Sequence, residues 1–284
     1  MKITFLGTSA ANAFPEPFCS CANCISARAE GGKSLRKRSS ALINDDLLID
    51  LGPDIMTSSQ QHDVDLTKVR FCIQTHPHAD HMDLSHLLSR SPGFGVVGAP
   101  RLHFYASSET LAKARQTFMR DLSNLDLFSS KAQEELNLQI HTIEPHEPFE
   151  IGSYRIVGYP ANHAPGSGAL IFSITSAEGT ILYATDTAGL WEETWKSFHA
   201  LQMNFDLIVF DHTYGPEEPG SDHLSAHQVA GHIDRMRSEG LLSPSAGVFA
   251  THIAHEGNPA HSELSRFADD HGYSIAYDDL AISI

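Results

Sequence analysis

One stretch limits the folds open to this chain more than any other: FCIQTHPHADH, residues 71–81. An apolar run over residues 69–73 leads into four metal-binding groups, His76, His78, Asp80 and His81, at relative positions 1, 3, 5 and 6. That spacing circles a helix axis, so no helix face gathers all four side chains. A turn leaving the end of a strand can gather them, and Pro77 stiffens it. The chain carries 18 histidines in 284 residues, more than packing calls for. Imidazole is the commonest protein ligand for divalent transition metals, so a metal site at a strand end is the first expectation.

The remainder of the sequence supplies further strand ends. Residues 3–6, 41–43, 47–50, 154–157, 170–174, 180–184, 207–210 and 247–250 read as short strands, with Asn44, Asp45 and Asp46 turning between the second and third. Helical spacing falls at 84–88, 109–119, 225–236 and 262–270. Strands dominate each half, with helices between and after them. That order predicts one α/β domain over residues 1–284, with two sheets face to face and helices outside. The charged stretch 105–140 is expected to form a cap insertion over the site. Four cysteines are present, and Cys72 sits in the apolar run as a buried thiol.

The HxHxDH turn is the signature of the metallo-β-lactamase superfamily, which the chain resembles along its whole length. The resemblance implies a four-layer αββα sandwich and three more ligands at the ends of later strands. His163 in YPANHAPGS, Asp186 in LYATDTAG and His252 in GVFATHIAH stand in the required order, each after an apolar run. What the resemblance implies is specific: His76, His78 and His163 hold one metal, and Asp80, His81 and His252 the other. Asp186 then bridges them through one carboxylate oxygen. Two such cations share a water and supply a bridging hydroxide near neutral pH. Zinc, manganese and iron all suit these donors.

Three cysteines, Cys19, Cys21 and Cys24, lie in one short loop, and clustering of this kind favours metal over disulfide. A closed tetrahedral zinc site needs a fourth ligand. His255, three residues after His252, can face the other way and clip a zinc-binding loop at residues 14–38 to the core. The segments GTSAANAFPEPFCSCANCISAR, NHAPGSGALIF, ATDTAGL and THIAHE are similar to the phosphonate-metabolism phosphodiesterase (PhnP) branch of the superfamily. That branch uses two divalent metals and a separate structural zinc held by three cysteines and a histidine, which Cys19, Cys21, Cys24 and His255 match. The resemblance also implies a homodimer. The catalytic residues expected are Asp80, within the turn, and His223, which falls where that branch has a histidine near the scissile phosphate. Its work would be to stabilise the transition-state oxyanion or protonate the leaving alkoxide. Asp211 is a candidate to orient a histidine ligand; His212 and His227 are weaker candidates.

The expected function is metal-dependent hydrolysis of a small, including cyclic, phosphodiester. The cysteine pattern also occurs in the pyrroloquinoline-quinone biosynthesis protein B branch, an oxygenase or oxidase alternative, but the intact His76 and His78 point away from it. HLSAHQVA resembles the histidine helix of ribonuclease Z. A net charge of −16, from 35 acidic and 19 basic residues, disfavours that nuclease reading and any extended nucleic acid. The basic cluster Lys33, Arg36, Lys37 and Arg38 is either a solvated loop or a patch that draws in a small phosphorylated substrate. With no apolar run of membrane-spanning length and no signal-peptide pattern, no membrane association is expected and a cytoplasmic location follows as the default.

Overall fold

The computed structural model describes residues 1–216 and 218–284. The first sheet opens with β1 (Lys2–Gly7), the antiparallel hairpin β2 (Ser40–Ile43) and β3 (Leu47–Ile49), then β4 (Phe71–Ile73), β5 (Leu102–Ala106) and β6 (Leu138–Thr142). The second holds β7 (Phe149–Ile151), β8 (Tyr154–Pro160), β9 (Leu170–Ser176), β10 (Gly179–Ala184), β11 (Phe205–Asp211), β12 (Leu242–Thr251) and β13 (Ser274–Ile275), before β14 (Ala281–Ser283) returns to pair with β1. Strand orders are β14-β1-β2-β3-β4-β5-β6 and β13-β12-β11-β10-β9-β8-β7.

Alternation along the strands builds the layers. In β10, Ile181 and Tyr183 join the core between the sheets, while Leu182 and Ala184 face the outer helices; in β11, Leu207 and Val209 face inward and Ile208 and Phe210 outward. Strands apolar on both faces are buried on both faces. Over the second sheet lie α1 (Ala22–Glu30), α6 (Glu192–Ala200), α7 (Ala226–Ser238) and α8 (His261–Asp270), which contribute Ala27, Phe198, Val229, Ile233 and Leu264 to the outer core. Over the first lie α2 (Ile55–His62), α3 (Ser85–Ser89) and α4 (Ser108–Thr117), which contribute Ile55, Leu87, Leu111 and Ala114 to a third core. The arrangement is the expected αββα sandwich.

Two expectations are corrected. The stretch 105–140 is not a cap: it supplies part of β5, α4, α5 (Ser130–Glu135) and the start of β6, and Leu111, Ala114, Phe118 and Leu127 are fully buried. Its charged residues lie on the solvent side of a layer whose apolar side carries the packing. Three of the four cations in the basic cluster are buried or paired, while Lys33 stays exposed over the Tyr277 ring. Arg36 is buried and donates to the Thr8 hydroxyl and the Ala276 carbonyl. Lys37 pairs with Asp278 at 3.3 Å, and Arg38 makes a forked pair with Asp54 at 2.7 and 2.8 Å. These cations tie the loop to the C-terminal segment and α2. Among the described residues, no helix is long and apolar enough to cross a membrane.

Candidate metal centre

β8, β10, β11 and β12 run in one direction, because β8 and β10 are each antiparallel to β9, while β10, β11 and β12 are mutually parallel. Their C-terminal ends deliver His163, Asp186, Asp211 and His252, and the end of β4 in the other sheet delivers the turn His76–His81. Asp186 and His252 adopt positive φ, 53° and 64°, as does Asp50 at 65°. Non-glycine residues held there are uncommon and cluster at functional sites.

The ring orientations follow from a hydrogen-bond relay at each strand end. Asp50 accepts from His81 Nδ1 at 2.6 Å and from the Thr75 hydroxyl at 2.9 Å. Thr75, having donated its proton, accepts from His76 Nδ1 at 3.0 Å. Asp211 and Thr213 repeat the pattern: Thr213 Oγ1 donates to Asp211 at 2.9 Å and takes the Nδ1 proton of His252 at 2.8 Å. Each relay fixes the tautomer, leaving the Nε2 lone pairs of His76, His81 and His252 bare. His81 Nε2 and His252 Nε2 stand 3.4 Å apart, and His163 Nε2 stands 3.3 Å from His78 Nδ1. Two lone pairs so close repel unless a cation lies between them. His76 Nε2 is buried with no hydrogen-bond partner.

The residues therefore fit divalent cations. A tetrahedral ion with nitrogen ligands at 2.0–2.1 Å sets them about 3.3 Å apart. His76, His78 and His163 form one group, and Asp80, His81, Asp186 and His252 another, their donor atoms within 4.8 Å of one another. The Asp186 carboxylate lies between them. Oδ1 is 3.7 Å from His76 Nε2 and 3.8 Å from His163 Nε2, while Oδ2 is 3.0 Å from His81 Nε2 and 3.2 Å from His252 Nε2. It thus spans the two groups with both oxygens, where the resemblance implied one. All seven expected side chains converge.

Asp80 lines the cleft with Oδ2 3.2 Å from His81 Nε2. His223 gives its Nδ1–H to Asp211 Oδ2 at 2.9 Å, and one of its ring nitrogens lies within 4.8 Å of donor atoms of His163 and Asp186. Burial opposes a charge on this ring, yet Asp211, helped by Asp186 and Asp222, lifts its pKa to about 9. His212 is buried away from the site, hydrogen-bonded to the Tyr273 hydroxyl, and His227 is exposed beside Phe267.

The second candidate site is not a plain loop. Cys21 caps the N-terminus of α1 and accepts from the Cys24 amide at 3.4 Å. His255 Nδ1 is 3.4 Å from Cys19 Sγ and 3.6 Å from Cys21 Sγ, and the three sulfurs and this nitrogen meet within 4.8 Å. Burial disfavours a thiolate at Cys21, but His255 and the Cys24 amide bring its pKa down to about 6. Glu16 and Glu256 flank His255 Nε2 at 3.5 and 3.3 Å and orient the ring. The set suits a closed tetrahedral zinc.

Residues 46–253 match the model of the beta-lactamase superfamily domain. The chain belongs to that superfamily. No curated protein matches this superfamily member in sequence. Its fold is similar to that of a diphosphatase from the PhnP family, with a TM-score of 0.74 and 21% identity over 100% of this chain and 97% of the other. Zinc-bound PqqB from Methylobacterium extorquens aligns with a TM-score of 0.73 and 16% identity over 100% of both chains. The short form of human tRNase Z gives 0.66 and 16% over 100% and 99%. At these identities the likeness is one of fold.

Sequence reasoning passed over Asp50, Thr75, Thr213, Tyr214 and Asp222. Asp50 left a signal, a carboxylate ending the apolar run LLID. The threonines left none, because only the fold brings their hydroxyls to the histidine rings.

Proposed function

We propose that this superfamily member hydrolyses small phosphodiesters at the cleft where the strand ends meet. The observation that supports the reading is the hydrogen-bonded His223–Asp211 pair standing beside the seven convergent donors. His76, His78 and His163 would hold one divalent cation and Asp80, His81 and His252 the other, with Asp186 between them. Bound there, zinc, manganese or iron would activate water near neutral pH and neutralise charge on the phosphoryl oxygens. The two aspartate–threonine relays keep the imidazoles turned to the cations, so no reorganisation is needed when substrate arrives.

An alkoxide leaves phosphorus poorly unless it is protonated. His223 has its Nδ1 committed to Asp211, so Nε2–H is the proton available to the departing oxygen. As the P–O bond breaks, that proton passes to the alcohol, and Asp211 stabilises the imidazolium until transfer. Such assistance is worth about 10²–10⁴ in rate. The cysteine–histidine set would hold a structural zinc that pins the N-terminal loop beside the cleft.

The fold likeness to PqqB keeps an oxidative reading in view, and an aerobic assay with iron scored for oxygen uptake separates it from ester cleavage. The decisive variant is Asp186→Asn, since asparagine tolerates the positive φ at this position. It should abolish turnover of bis-p-nitrophenyl phosphate while circular dichroism stays native. Unchanged turnover would end the reading.

A further inference from the structure

We propose that the cleft selects phosphodiesters whose alcohol substituent carries an ammonium group, held between the Tyr214 ring and the carboxylates of Asp222 and Glu256. The inference rests on the phosphodiesterase reading and names its substrate class. Among the described residues, no lysine or arginine lines the 260 Å³ cleft. The nearby cations Lys37 and Arg38 belong to a separate hollow beyond Ala11–Ala13 and are already paired with Asp278 and Asp54. A second phosphate at the cleft mouth would therefore meet the carboxylates of Asp222 and Glu256 and no lysine or arginine.

The opposite substituent is well served. Tyr214 and Asp222 line the cleft together, joined by a 2.8 Å hydrogen bond from the tyrosine hydroxyl to the carboxylate. The Gly215 amide donates to the Glu256 carbonyl at 2.9 Å, which sets the Glu256 segment against this wall. The approach is so close that a Cβ at Gly215 would lie 1.8 Å from the Gly257 carbonyl oxygen, so only glycine fits here. Asp222 is exposed, and the Glu256 side chain, paired with His255 Nε2 at 3.3 Å through one oxygen, is 47% exposed; both residues line the cleft. Both carboxylates also act on the Tyr214 hydroxyl, helping burial to raise its pKa. A tyrosine ring and two carboxylates lining one cleft supply the chemistry that recognises ammonium ions.

The test compares p-nitrophenyl phosphorylcholine with the neohexyl ester, its uncharged carbon isostere, on the metal-loaded protein. The expected ratio of kcat/KM is about tenfold or more in favour of the choline ester, falling towards one in the double variant Asp222→Asn, Glu256→Gln. Because both esters are read on the same enzyme, loss of catalysis cancels in the ratio. A ratio near one in the unsubstituted protein would overturn the proposal while leaving the phosphodiesterase reading intact. Should neither ester nor bis-p-nitrophenyl phosphate be cleaved, the phosphodiesterase reading fails. Whenever neither ester is cleaved, the ammonium site is decided by saturation-transfer NMR of choline with the zinc-loaded protein. A signal that the double variant loses supports the site, and no signal refutes it.

Discussion

His212 directly follows the last residue of β11 and His223 hydrogen-bonds to it, and the two meet opposite environments. His223 shares Asp211 with the Thr213 hydroxyl and the Asp186 amide, and that carboxylate raises its pKa to about 9 against the pull of burial. Replacing it with alanine should lower kcat about 10²–10⁴-fold while elemental analysis finds the metal content unchanged. A parallel loss of metal would make it a ligand instead. At His212, burial holds the imidazole neutral, with its pKa down to about 4 from an ordinary 6.5. The unfolded chain takes up this proton near pH 6.5, and the native one only near 4. Stability from this residue is thus present above 6.5 and lost as pH falls through that window. Urea midpoints of metal-stripped protein between pH 7 and 5 should fall less steeply for His212→Leu than for the parent. Equal slopes would contradict the assignment.

Among the elements, the ligand-bearing strand ends were the most legible in the sequence. The turn at 76–81 needed only its spacing, and His163, Asp186 and His252 each followed an apolar run that became β8, β10 and β12. The segment 105–140 was misjudged because its charges stand out, while Leu111, Ala114 and Phe118, which bury it, are spread at helical intervals. β5 and β6 passed unseen for a related reason: LHFYA and LQIHT mix polar with apolar residues, and neighbouring strands decide their place. Leu111→Ala tests the reassignment directly. As a core residue it should cost about 2–5 kcal/mol in chemical denaturation. A loss below 1 kcal/mol would restore the cap. The basic cluster carried no mark of its pairing, because Asp278 and Asp54 are distant in sequence and only the folded chain brings them near.

For the whole molecule, two sheets whose strand ends open at one edge turn scattered residues into a single cleft. The acidic surface, −16 overall, extends into the cleft mouth through Asp222 and Glu256. It disfavours polyanions and leaves the charge of the site to its cations. Seven side chains are arranged to fit a pair of metal ions, and the cysteine–histidine set is arranged to fit a third. Elemental analysis of purified, dialysed protein tests this most directly. Three divalent ions per chain are expected, falling to two in Cys24→Ala and to one when His76 and His252 are both replaced by alanine. One ion or none in the unsubstituted protein would contradict it.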